Sequence, residues 1–145
     1  MKENNWRRGI YCNNLYKLFL LFSNMKIYVS HSKKLDFRKE LYQPLRQSCL
    51  SDEHEITLPH ETSDRPYNSK ELMKTFNVVL GEVSYSATGL GIELGWADAL
   101  GIPIIALCRK DKKLKGSVRA LTNRIVRYST SDELIKGIKD ELSKL

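Results

Sequence analysis

From Met25 onward the chain alternates between short apolar runs and stretches whose apolar residues recur every three or four positions. Lys26-Ile27-Tyr28-Val29-Ser30 is β-branched and aromatic, and it predicts a first strand. A polar loop, His31 to Lys34, leads into a helix expected over Leu35 to Leu50, with Phe37, Leu41, Leu45 and Cys49 on one face. Pro44 lies inside that helix and predicts a kink or a break. His54 to Leu58 reads as a second strand closed by Pro59, and His60 to Pro66 as a loop. Asn68 or Ser69 is positioned to cap a helix over Lys70 to Phe76.

The second half is more strongly patterned. Asn77 to Val83 predicts a buried third strand, followed by a small and hydroxylated loop and a glycine-bearing helix that lasts to Leu100. Gly101 stands where a helix C-terminal glycine is expected. Pro103 to Cys108 is apolar throughout and predicts a fourth strand. A charged loop from Arg109 to Gly116 and a helical turn over Ser117 to Thr122 precede an alternating fifth strand, Arg124 to Tyr128. Thr130-Ser131-Asp132-Glu133 is a capping sequence for a final helix.

Strands alternating with helices, with apolar central strands, predict an α/β fold: a three-layer α/β/α sandwich on a five-stranded parallel, flavodoxin- or Rossmann-like sheet in the order 2-1-3-4-5. Ligands in such sheets bind beyond the carboxyl ends of the strands, at the point where strand order reverses. That rule selects the loops after Ser30, Leu58, Val83 and Cys108.

Residues 1–24 stand apart. Arg7-Arg8 followed by Tyr16 to Phe22 has the outline of a signal peptide, but the apolar run is brief, contains Lys17 and lacks a small-residue cleavage site. It is too short to span a membrane. Two domains of description follow: an extension over 1–24 and a folded domain over 25–145, with Met25 opening the first strand.

A chain of 145 residues, 41% hydrophobic and 28% charged, has the size and composition of one globular domain. The net charge of +7 would suit a nucleic-acid partner, but no helix carries a basic stripe and no aromatic residues interleave with the Arg109–Arg124 bases. A small phosphorylated ligand suits that charge without nucleic acid. Cys12, Cys49 and Cys108 are odd in number and lack CxxC spacing, so the expectation is buried thiols in a reducing, cytoplasmic setting. His31, His54 and His60 have no metal-ligand spacing, and neither a metal nor a cofactor is expected.

Candidate chemistry concentrates in Tyr85 to Ala97. A strand, a small hydroxylated loop and a glycine-bearing helix start together present backbone N–H groups to an anion. Glu93, one turn into that helix, points among Leu90, Ala97 and Leu100 on a helical projection. A carboxylate in such a setting costs a few kcal/mol unless it is satisfied. Two readings are open: a structural acid held by backbone donors or by Arg109 or Lys34, and a functional carboxylate at a pocket floor near a helix N-terminus.

The segment Glu82-Val83-Ser84 through Gly89-Leu90-Gly91-Ile92-Glu93-Leu94-Gly95-Trp96-Ala97, followed by Gly101-Ile102-Pro103-Ile104-Ile105, resembles the signature of the nucleoside 2-deoxyribosyltransferase superfamily. Small members of that superfamily include 2'-deoxynucleoside 5'-phosphate N-hydrolases. The similarity extends over roughly Met25 to Tyr128. It implies that Glu93 is a nucleophile that displaces the base from the anomeric carbon of a deoxyribose and forms a glycosyl-enzyme intermediate. It further implies that Ser86, Thr88 and Gly89 hold a 5'-phosphate with Gly91 also in the substrate site, that Ser117 completes the site of a neighbouring subunit in a homodimer, and that Tyr28 lies near sugar or base. Ser30, His31, Lys34 and His60 complete the expected substrate-binding set.

Two positions depart from the family pattern. The aspartate that the family places on the helix before strand three aligns with Ser69, and a common serine six residues before the nucleophile is Ala87. The resemblance therefore implies an N-glycosidase or deoxyribosyltransferase acting on a nucleoside or its monophosphate. The alternatives are a non-catalytic nucleotide-sensing module of the same fold, or a TIR-like domain cleaving NAD.

Overall fold

The computed structural model describes residues 24–145, so the extension read over residues 1–24, and Cys12 with it, lies outside the described residues except for Asn24. Five strands form one sheet: β1 (Lys26–His31), β2 (Glu55–Thr57), β3 (Val78–Glu82), β4 (Ile104–Arg109) and β5 (Ile125–Tyr128). Their order is β2-β1-β3-β4-β5, and every pairing is parallel, as the strand–helix alternation predicts.

Parity along the strands divides the core. Ile27 and Val29 of β1, with Val78 and Leu80 of β3, face one layer; Tyr28 and Val79 face the other. The first face is covered by α1 (Gln43–Gln47), α2 (Leu50–Glu53) and α6 (Ser131–Leu142), through Leu45, Leu50, Leu134 and Ile138. The second is covered by α3 (Lys70–Met73), α4 (Thr88–Ala99) and α5 (Gly116–Leu121), through Met73, Leu90, Leu94, Ala97 and Val118. Parallel strands need both faces covered, and here both are.

The helix expected over Leu35 to Leu50 is instead a chain of short segments. A π-helical turn over Arg38–Tyr42 precedes α1, and the Gln43 N–H reaches back to the Arg38 carbonyl. Pro44 explains the widening: it has no N–H for the Glu40 carbonyl, and its ring crowds that carbonyl in α geometry. Leu41, Leu45 and Cys49 nevertheless stay buried, so the apolar periodicity located the face while missing the breaks. Likewise α3 ends at Met73, short of Phe76, and β2 is confined to Glu55–Thr57.

Two glycines set how closely helices approach the sheet. A Cβ on Gly81 would lie 2.8 Å from Leu94 Cδ2, and one on Gly137 would lie 2.3 Å from Val126 Cγ1. Gly101 closes α4 at φ 69°, with the Ile102 N–H bonded to the Ala97 carbonyl at 2.9 Å and the Gly101 N–H to the Asp98 carbonyl at 2.9 Å. Gly137→Ala is expected to destabilise the domain, because stiff Val126 cannot swing aside: overpacking of about 1–3 kcal/mol outweighs the roughly 1 kcal/mol gained in helix propensity. Urea unfolding of the variant beside the wild type measures this, and an unchanged or higher midpoint would contradict the packing argument.

Candidate active site

The register of β1 against β3 places Ser30 beside Gly81. Because Gly81 has no side chain, Leu94 of α4 settles directly over β3, and Glu93 is carried to the C-terminal end of β1. There its carboxylate accepts hydrogen bonds from three hydroxyls. Tyr28 donates to Oε1 at 2.7 Å, Ser69 donates to Oε1 at 2.8 Å, and Ser30 donates to Oε2. All three donors are buried, with Tyr28 at 0% and Ser30 and Ser69 each at 1% exposure, while Glu93 itself is half-buried. A carboxylate with these donors is satisfied without a counter-ion, and no ion pair among the described residues involves Glu93.

Neither base expected to neutralise Glu93 is bonded to it. Arg109 turns its guanidinium to Glu40 and, at 3.1 Å, to Asp111, while its backbone N–H donates to Ser84 Oγ at 2.9 Å. Lys34 is exposed, with its backbone N–H on Ser32 Oγ. The helical projection also misplaced Leu100, which is 53% exposed; only Leu90, Leu94 and Ala97 of α4 are buried. Glu93 lies at the border of the buried arc, where it can meet both the sheet and solvent.

Tyr28 is fixed by its neighbours. Its ring stacks on Tyr67 at 6.2 Å and tilts against Phe76 at 5.1 Å. Burial, and after it the Glu93 charge, pushes the phenol well above the ordinary tyrosine range, so Tyr28 stays a hydrogen-bond donor.

The N-terminus of α4 opens beside this cluster. Ala87 occupies the cap position with extended backbone and no side-chain cap bond, leaving the N–H groups of the first turn to another acceptor. Ser86, Thr88, Gly89 and Gly91 are all exposed there. Ser117 is exposed on α5, in the layer that also holds α4.

His31 and His60 are brought together, but around aromatic rings. His31 belongs to the face of β1 opposite Tyr28 and Ser30; it stacks on Phe37 at 4.2 Å and lies 5.8 Å from the His60 ring. Its Nδ1 faces the Ser32 carbonyl at 3.2 Å, which can only accept, so Nδ1 carries the proton and Nε2 accepts from Tyr42 Oη at 2.7 Å. The Tyr42 oxygen also accepts the His60 backbone N–H at 3.2 Å. Burial pushes the His31 imidazole down to about 4, aided by the neighbouring His60, Lys33 and Arg38 side chains.

A second acid, Glu82, is fully buried on the His31 side of the sheet. Its Oε1 accepts from Tyr128 Oη at 2.9 Å and from Ser84 Oγ, and burial raises its affinity for a proton. This network ties the ends of β3, β4 and β5 together and does not touch Glu93. Among the described residues no group of acids, histidines and cysteines could hold a metal ion, and no helix is long and apolar enough to cross a membrane.

Ser69 is the site residue that sequence reasoning assigned elsewhere. As a helix cap it was expected to bond the first turn of α3; its backbone is helical instead (φ −85°, ψ −11°), it makes no cap bond, and its hydroxyl goes to Glu93. The signal available in sequence was its alignment with the family aspartate. The depressed His31 pKa predicts a titration: its stabilising preference for the neutral form is full above about 6.5 and is lost as pH falls through about 4. NMR of the His31 ring should show a midpoint near that lower value, and a midpoint near 6.5 would contradict the buried geometry.

No family model matches the chain. A protein of Thermofilum pendens named "Putative 2'-deoxynucleoside 5'-phosphate N-hydrolase 1" is 30% identical over 89 residues, 58% of this chain and 60% of the relative. The matched region thus spans less than two thirds of that relative's length. Among solved structures, a CMP N-glycosidase of Clostridium botulinum superposes with a TM-score of 0.53 at 18% identity, over 79% of this chain and 98% of that one. A conserved protein of Enterococcus faecalis superposes with a TM-score of 0.51 at 20% identity, over 81% of this chain and 99% of that one. At these identities the superpositions establish the fold. In sequence the chain is similar to the Thermofilum pendens protein over those 89 residues, and in fold it is similar to these solved structures.

Proposed function

We propose that this chain cleaves the N-glycosidic bond of 2'-deoxyribonucleosides or their 5'-monophosphates, or transfers the deoxyribosyl group, with Glu93 as nucleophile. The observation that carries the reading is a half-buried carboxylate held by three buried hydroxyls beside an uncapped helix N-terminus. The hydroxyl donors hold and aim the carboxylate without an ion pair that would mask it. An anionic oxygen can then stabilise an oxocarbenium-like transition state and trap it as a glycosyl ester. Water resolves the ester in hydrolysis; a second base resolves it in transfer.

The helix start supplies the other half of the substrate site. Glu93 follows Thr88 by five positions, about 7.5 Å along the helix axis, comparable to the reach from the anomeric carbon of a nucleotide to its 5'-phosphate. The free N–H groups of the first turn and the hydroxyls of Ser86 and Thr88 suit a phosphate there. The names of the Thermofilum pendens relative and of the Clostridium botulinum structure support a nucleotide N-glycosidase reading. Ser117 from a second subunit would close the phosphate site, making a homodimer the working assembly.

Ser69 and Ala87 favour a second reading, a nucleotide-sensing module that binds and does not turn over. A serine in place of an acid forgoes general-acid help worth roughly 10²–10⁴-fold. Incubation with the four deoxynucleoside monophosphates, followed by chromatography of the free base, decides between them. Base release that falls at least roughly 100-fold in Glu93→Gln supports the nucleophile. Undiminished release in that variant removes it, and nucleotide binding by calorimetry without wild-type release leaves the sensing module.

A further inference from the structure

We infer that Ser69 is a positioning residue for the nucleophile, and that it assigns the attack on the sugar to one oxygen of Glu93, Oε2. The inference rests on the N-glycosidase reading above.

Three observations converge on Ser69. It stands at the cap position of α3 yet makes no cap bond, forgoing a contact that stabilises a helix. It is 1% exposed, so its hydroxyl has no recourse to water. Its Oγ lies 2.8 Å from Glu93 Oε1, across a sequence separation of 24 residues. A buried serine that leaves its own helix uncapped to reach a carboxylate on another helix is held there by that carboxylate.

The donors are distributed unevenly. Oε1 receives two, from Tyr28 and Ser69, as many as its two lone pairs accept. Oε2 receives one, from Ser30, and keeps a lone pair for the anomeric carbon. As the Oε2–C1' bond forms, the C1'–N bond breaks with its electron pair leaving on the base. Negative charge withdraws from Oε2 and the glycosyl ester retains Oε1 as its carbonyl oxygen. Tyr28 and Ser69 remain bonded to that carbonyl oxygen throughout, so they fix the carboxylate plane without obstructing attack. The Ser30 bond, by contrast, points at the oxygen that must react. Because position 69 offers a hydroxyl already committed to Glu93, the proton for the departing base comes from solvent.

The experiment measures steady-state base release from a deoxynucleoside monophosphate by the full chain and by Ser69→Ala, Ser69→Thr and Ser30→Ala. Loss of a hydrogen bond to a charged group predicts a kcat lower by roughly 10- to 100-fold in Ser69→Ala with KM within about twofold. Ser69→Thr keeps the hydroxyl and should recover most of the rate. Ser30→Ala, which frees the attacking oxygen, should cost less than Ser69→Ala. An unchanged kcat in Ser69→Ala, a loss carried by KM, no recovery in Ser69→Thr, or a larger loss in Ser30→Ala each overturns the assignment while leaving Glu93 as nucleophile. Absence of wild-type release overturns the N-glycosidase reading itself, and this role with it.

Discussion

The close approach of α4 to the sheet governs this structure. Leu94 lies over the bare backbone of Gly81, and that contact brings the adjacent Glu93 to the end of β1. With any side chain at that position, the helix would stand off or Leu94 would have to move, and the carboxylate would lose Ser30. One missing methyl group therefore links the packing of the core to the geometry of the site. The approach is held at the other end of α4 by the Gly101 turn, which satisfies the last carbonyls and sends the chain into β4.

Around that contact the two faces of the sheet do different work. The α4 side carries hydroxyls that hold one exposed-edge carboxylate, with the helix N-terminus opening beside it. The other side carries the protonation-sensitive groups: His31 in its aromatic nest, and Glu82 under Tyr128 and Ser84. Burial lowers the proton affinity of His31 and raises that of Glu82, and both groups serve as packing and hydrogen-bonding elements. Glu93, by contrast, is only half-buried and bonds hydroxyls on the α4 side.

Much of this was legible in the residues. The apolar runs of β3 and β4 and the strand–helix rhythm sufficed for the sheet and its order, since parallel strands must be covered on both faces. Glu93 stood out as an acid in an apolar helix and the loop after Ser30 as a strand end at the switch point, both local signals, while Tyr28 was singled out by the resemblance. What could not be read was long-range. The partner of Glu93 was sought among cations, whereas hydroxyls from β1 and α3 satisfy it; Ser69 has the same sequence signature whether it caps α3 or bonds Glu93. The π-helical turn before Pro44 was equally hidden, since a proline announces a disruption but not which way the backbone will relieve it.

The pairing of β1 with β3 has an evolutionary consequence. Ser30 and His31 are sequence neighbours on opposite faces, matched to Gly81 and Glu82. Inserting or deleting a single residue within β1 would exchange them, turning the imidazole toward the carboxylate and the hydroxyl toward the aromatic nest. Divergence among chains built this way must therefore proceed by replacing residues in place, with length changes confined to the connections. The strand acts as a reading frame for the chemistry at its end.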